Sequence, residues 1–146
     1  MGTTEPVVDD SALVRTFEAG EEPPGGFHHR EHVRVAWWYL RRHSCAEALI
    51  RFSTALRRFA VARGKPDLYH ETITTAFVLI INERLDGADP SATWLQFCDE
   101  NPDLLTWRPS VLDRYYRPET LASERARRTF VLPDRLADSD STRKHF

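Results

Sequence analysis

Histidines and carboxylates gathered at two points of the chain are the residues best suited to chemistry. The first group is Phe27-His28-His29-Arg30-Glu31-His32 and the second is Tyr69-His70-Glu71-Thr72. On a helix, His29 and His32 stand at i and i+3, and His28 and His32 at i and i+4, so either pair shares a face. Two neutral imidazoles so placed can ligate Fe, Zn, Ni or Cu. Adding His70 gives a set, His29, His32 and His70, that supplies three nitrogens and leaves a position for water or substrate. A divalent ion held there would polarise a substrate or activate a bound water, with Glu71 as a further ligand or as proton acceptor. Spacing alone leaves open whether His28 or His29 partners His32. Adjacent His70 and Glu71 would sit about 100° apart on a helix, so both reach one ion only in a loosened first turn.

The same residues support chemistry without a metal. His70 or His32 can pair with Glu71 as general acid and base, since histidine titrates near neutrality. Tyr69 and Tyr39 can donate hydrogen bonds to a substrate, Thr74 can line a polar wall, and Trp37 can face a pocket, because Trp37 and Trp38 cannot both point into one core. Glu71 and Tyr69 are therefore the expected catalytic pair, and Tyr39, Trp37 and Thr74 the expected substrate contacts. The plainer alternative is that the histidines are structural, satisfied by backbone, and the threonines bond back to the preceding turn. The chain would then be a small-ligand binder or a docking module for another protein.

Helices must position these groups. Ser11 is placed to cap a short helix carrying Leu13, Val14 and Phe17, stopped by Gly20. Glu21 to Gly26 (EEPPGG) breaks regular structure. Helical periodicity of Val33, Trp37 and Leu40 predicts a long helix over 27–43. Ser44 with Glu47 reads as a capping box for a second long helix, with Leu49, Phe52, Leu56, Phe59 and Ala60 on its buried face and Gly64 at its end. A third long helix is predicted over 68–85; its β-branched residues make a strand the rival assignment, and its length favours the helix. Asp89-Pro90, Asn101-Pro102, Arg108-Pro109 and Arg117-Pro118 predict a succession of short helices. Phe130 to Leu132 is expected to fold back on the body. The expected organisation is a flexible leader over 1–10, a single all-α domain over 11–133 built as three long helices with several short C-terminal ones, and a flexible tail over 134–146.

Composition narrows the function. The chain of 146 residues is 41% hydrophobic and 29% charged, a globular balance for one domain. Its longest apolar run, Ala76 to Ile81, is six residues, against the roughly 18–20 needed to span a bilayer. A net charge of −2, from 20 basic and 22 acidic residues, argues against phosphate-driven nucleic-acid binding. Cys45 and Cys98 stand far apart without a CxxC spacing, which points to free thiols and a cytoplasmic location. No phosphate-binding glycine loop, GxSxG elbow or dinucleotide fingerprint is present. The implied partner is a small molecule, and a homodimer would cover part of the large aromatic surface.

The pattern F-x-H-x-x-H-V-x-V-A-W-x-Y-L (Phe27 to Leu40), then Y-H-E-T (Tyr69 to Thr72), then N-P-D-L-L (Asn101 to Leu105) resembles a family of small uncharacterised bacterial helical proteins, over roughly residues 27–133. The resemblance implies His29 rather than His28 as the partner of His32, and brings no established activity. A looser similarity is to the helical HD-type metal phosphohydrolases. The pair here is His70-Glu71 in place of His-Asp, and with that departure the similarity does not carry a phosphohydrolase assignment.

Overall fold

Capping side chains set where the helices begin. The computed structural model describes residues 9–135. Helix α1 (Asp10–Glu18) starts at Asp9, whose carboxylate accepts from the Ser11 amide, so the cap lies two residues earlier than Ser11. Asp10 pairs with Arg34 at 2.5 Å, tying this residue of the expected leader into the body. Helix α2 (His29–Leu40) is shorter at both ends than periodicity predicts, and the Glu31 carboxylate accepts from the His28 amide at 2.7 Å. Helix α3 (Cys45–Ala62) starts at Ser44, which accepts from the Glu47 amide. Glu47 turns instead to Arg51, so the reciprocal half of the expected capping box is replaced by an i,i+4 ion pair.

A 3₁₀ turn (Pro66–Leu68) precedes α4 (Glu71–Leu85), which therefore begins three residues later than predicted. The β-branched residues of α4 do not make a strand. This helix packs against α2, α3 and a later short helix, so Thr72, Val78 and Ile81 are fully buried on different sides. An apolar surface all round is what a central helix requires.

After α4 the elements are short. Helix α5 (Trp94–Glu100) starts at Thr93, in a reciprocal capping box with Gln96, and not at Asp89-Pro90. Two 3₁₀ turns follow (Pro102–Leu104 and Val111–Arg114), then α6 (Pro118–Leu121) and α7 (Glu124–Arg128). Arg108-Pro109 is a cis peptide and opens no helix. The fold is all-α: among the described residues there is one isolated bridge, Trp107 to Ser110, and no strand. None of the helices is long and apolar enough to cross a membrane.

The C-terminal segment folds back as expected, through α4. The Thr72 hydroxyl donates to the Thr129 carbonyl at 2.8 Å and accepts from the Val131 amide at 3.1 Å. Asp134, expected in the tail, is held by the Arg117 amide and the Thr120 hydroxyl. Residues 1–8 and 136–146 of the expected leader and tail lie outside the described residues.

Candidate functional site

The buried faces of α2, α3 and α4 do not close completely on one another. Between them lies a cavity of about 900 Å³ that opens to solvent. Its walls are Val33 and Ala36 of α2, Phe52, Leu56 and Phe59 of α3, and Ile73 and Phe77 of α4. Exposed Leu68 and the half-exposed Trp107 stand at its mouth, with the charged side chains of Glu22, Arg63 and Lys65. A largely apolar cleft with a few convergent polar groups is the usual form of a small-molecule site, and this volume is toward the upper end of the common range of roughly 300–1,000 Å³.

Three of the predicted metal ligands, His29, His32 and His70, line this cavity, and so do Tyr69 and Thr74. The three imidazoles are held in different ways. His29 Nε2 donates to the Leu104 carbonyl at 2.8 Å, and its ring meets Phe77 edge-on and Trp107 at 5.2 Å. Burial lowers its pKa, against the Leu104 bond, which raises it. His70 is the N-cap of α4. Its Nδ1 accepts from the Ile73 amide at 3.1 Å, and its Nε2 donates to the Leu121 carbonyl at 2.8 Å, so both ring nitrogens are engaged by backbone. Those two bonds place the hydrogen on Nε2.

His32 differs from both. The residue is partly buried, Phe27 packs edge-on at 4.6 Å, and the ring lines the cavity. Its nitrogens have no hydrogen-bond partner among the described residues. Burial, followed by the neighbouring His29 and His28, pushes its pKa down to about 4. At neutral pH it is an uncharged imidazole with one donor and one acceptor to offer. The Thr74 hydroxyl, one turn inside α4, is likewise without a partner among the described residues and lines the same cavity.

Glu71, Tyr39 and Trp37 are placed elsewhere. Glu71 points to the other side of α4, where its carboxylate accepts from Arg57 at 2.8 Å and from the Tyr69 hydroxyl at 2.7 Å. His70 has extended backbone as the N-cap and Glu71 is the first helical residue, so the two side chains are not held to one site. Tyr39 is buried in the core with its hydroxyl donated to Glu18, and that burial with the Glu18 bond raises its pKa. Trp37 packs against Trp94 and Phe97, with Arg41 over its ring. Neither lines the cavity. Among the described residues no three His, Cys, Asp or Glu side chains are grouped so that they could hold a metal ion.

Trp107, Arg63, Lys65 and Leu68, which also line the cavity, have no site role in the sequence reading. The available signal was that Arg63 and Lys65 flank the helix-ending Gly64, and that Leu68 and Trp107 lie beside proline-punctuated turns, where loops border sites. The buried face of α3 was read correctly as apolar, but nothing in its periodicity distinguishes a wall facing a cavity from one facing packed side chains. Comparison of the chain with family models, with curated proteins and with solved structures finds no match to any of them. The geometry of the cavity therefore carries the function.

Proposed function

We propose that this protein binds a small, largely apolar molecule in the cavity between α2, α3 and α4, using His32 and Thr74 as its polar contacts. The observation that carries this reading is His32. Its ring lines the cavity with a donor and an acceptor that no protein group among the described residues engages, so both are available to a ligand lodged there. His29 and His70 line the same cavity, but each already has a backbone partner. Binding is favoured over acid–base catalysis, because an imidazole with a pKa near 4 is a weak base at neutral pH.

The competing proposal is a metal-dependent enzyme holding Fe, Zn, Ni or Cu on His29, His32 and His70. It would require His70 to release the Ile73 amide in order to ligate through Nδ1, and Glu71 to turn from Arg57 and Tyr69 toward the cavity before serving as ligand or base. Elemental analysis of untagged protein separates the two. Near-stoichiometric metal that His29→Ala abolishes would favour the enzyme.

The binding reading is tested with N-phenyl-1-naphthylamine, a neutral apolar fluorophore that brightens away from water. Wild-type protein is expected to enhance its emission saturably. Ile73→Trp, which places an indole in the cavity, is expected to weaken binding at least tenfold while keeping the helical circular dichroism. Absence of saturable binding, or equal binding by the variant, would refute the proposal.

A further inference from the structure

The charges around the cavity are lopsided. Glu22 is the one carboxylate among the residues that line it, and it is already paired with Arg63 at 3.2 Å. Lys65 stands at the same mouth, exposed, with no ion-pair or hydrogen-bond partner for its ammonium among the described residues. Glu21, Glu31, Asp67 and Glu71 are sequence neighbours of lining residues but do not themselves line the cavity, and Glu71 is paired with Arg57. Inside, the two polar side chains left without partners, His32 and Thr74, can each present a hydrogen to a ligand: an imidazole N–H from α2 and a hydroxyl from α4.

A ligand ammonium would find no free carboxylate among the lining residues and would meet the Lys65 charge on entry. A neutral hydroxyl would gain the two hydrogen bonds and nothing from the mouth. A carboxylate would accept from both donors, in hydrogen bonds strengthened by its charge, and would be drawn inward by Lys65. The remaining walls are hydrocarbon and aromatic rings, which suit an apolar body behind that head group.

We propose that the cavity selects a monoanion with an apolar body, an aromatic or aliphatic carboxylate, whose head group is received by His32 and Thr74. This deepens the small-ligand reading and rests on it.

The test uses 2-naphthoate and its neutral isostere 2-naphthamide, which share shape and differ in charge, as competitors for bound N-phenyl-1-naphthylamine at pH 7.5. Naphthoate is expected to displace the fluorophore from wild-type protein at a concentration at least tenfold lower than naphthamide. That preference is expected to fall to within twofold in His32→Phe, which keeps the ring volume and removes the donor. Thr74→Val, a near-isosteric loss of one hydroxyl, is expected to reduce it several-fold and guards against misfolding of the histidine variant. Lys65→Gln is expected to reduce it less, and more so at low ionic strength. Equal displacement by the two competitors, displacement by neither, or a preference that survives both His32→Phe and Thr74→Val would overturn the proposal. In each of these cases the fluorophore still binds; if it does not bind, the small-ligand reading itself has failed.

Discussion

His32 turns the cavity into a measurable property of folding. Its pKa is lowered to about 4 in the folded protein, mainly by burial, whereas an unfolded chain restores the ordinary value of about 6.5. Between those values the unfolded state holds more protons than the native state, so stability falls as pH falls. The contribution is complete above pH 6.5, is lost progressively below it, and is exhausted near pH 4. A shift of this size is worth up to about 3 kcal/mol. His29, also lowered by burial, contributes in the same direction, so wild type alone does not isolate His32. The difference in unfolding free energy between wild type and His32→Phe, from urea titrations at successive pH values, is expected to be flat above pH 7 and to move in the variant's favour by 1–3 kcal/mol at pH 4.5 (a range of order set by the same linkage). A difference independent of pH would mean that the ring is solvated as freely as in the unfolded chain.

At the scale of elements, His70 is a joint between two parts of the chain. It caps α4 through Nδ1 and reaches the end of α6 through Nε2. His70→Ala removes both bonds and is expected to cost about 2 kcal/mol, roughly 1 for the cap and the rest for the Leu121 carbonyl left without its donor. His70→Asn can restore the cap without reaching Leu121, and thermal denaturation should place it between the two. Equal stability of the Ala and Asn variants would show that the α6 contact, and not the cap, holds this junction. The case also marks how far the sequence could be read. Helical periodicity located α2, α3 and α4, because apolar spacing is a direct consequence of burial on one face. Their starting residues were less legible: Asp9, His28 and Thr93 cap helices whose beginnings were placed elsewhere, since several nearby side chains can serve as caps and only the backbone decides between them. The histidine cluster was visible as residue types, and His29, His32 and His70 do meet at one cavity. What Nε2 of His29 and of His70 touches depends on carbonyls 75 and 51 residues away along the chain, Leu104 and Leu121, which no local pattern encodes. For the same reason Tyr39 read as a substrate contact when its hydroxyl is spent on Glu18 of α1.

For the molecule as a whole, the cavity is a place where a ligand and folding share one free energy. The helices that line it belong to a continuous core running from Leu13 of α1 through Tyr116, so a molecule lodged between α2, α3 and α4 touches elements that unfold together. The part of the chain bordering the mouth is tied into that core by Asp103, which bridges Arg84 of α4 and Arg114 at 2.8 and 3.0 Å and is held at a pKa of about 2, chiefly by Arg84. That bridge remains charged through the neutral range and keeps the Leu104 carbonyl beneath His29. A ligand that binds only the folded state stabilises it by RT ln(1 + [L]/Kd), about 1.4 kcal/mol at ten times its Kd. In a domain of this length that corresponds to a rise in Tm of roughly 3–6 °C. Saturating 2-naphthoate is therefore expected to raise the melting temperature of wild-type protein by that amount, with no change in Ile73→Trp, where the indole already occupies the space. The naphthoate-induced rise should shrink in His32→Phe even though that variant has lost its acid-sensitive destabilisation, because head-group recognition and proton linkage both act through the same ring. If naphthoate shifts wild type and Ile73→Trp equally, the anion binds outside the cavity, and the stabilisation reports surface charge instead of the space enclosed by the three helices.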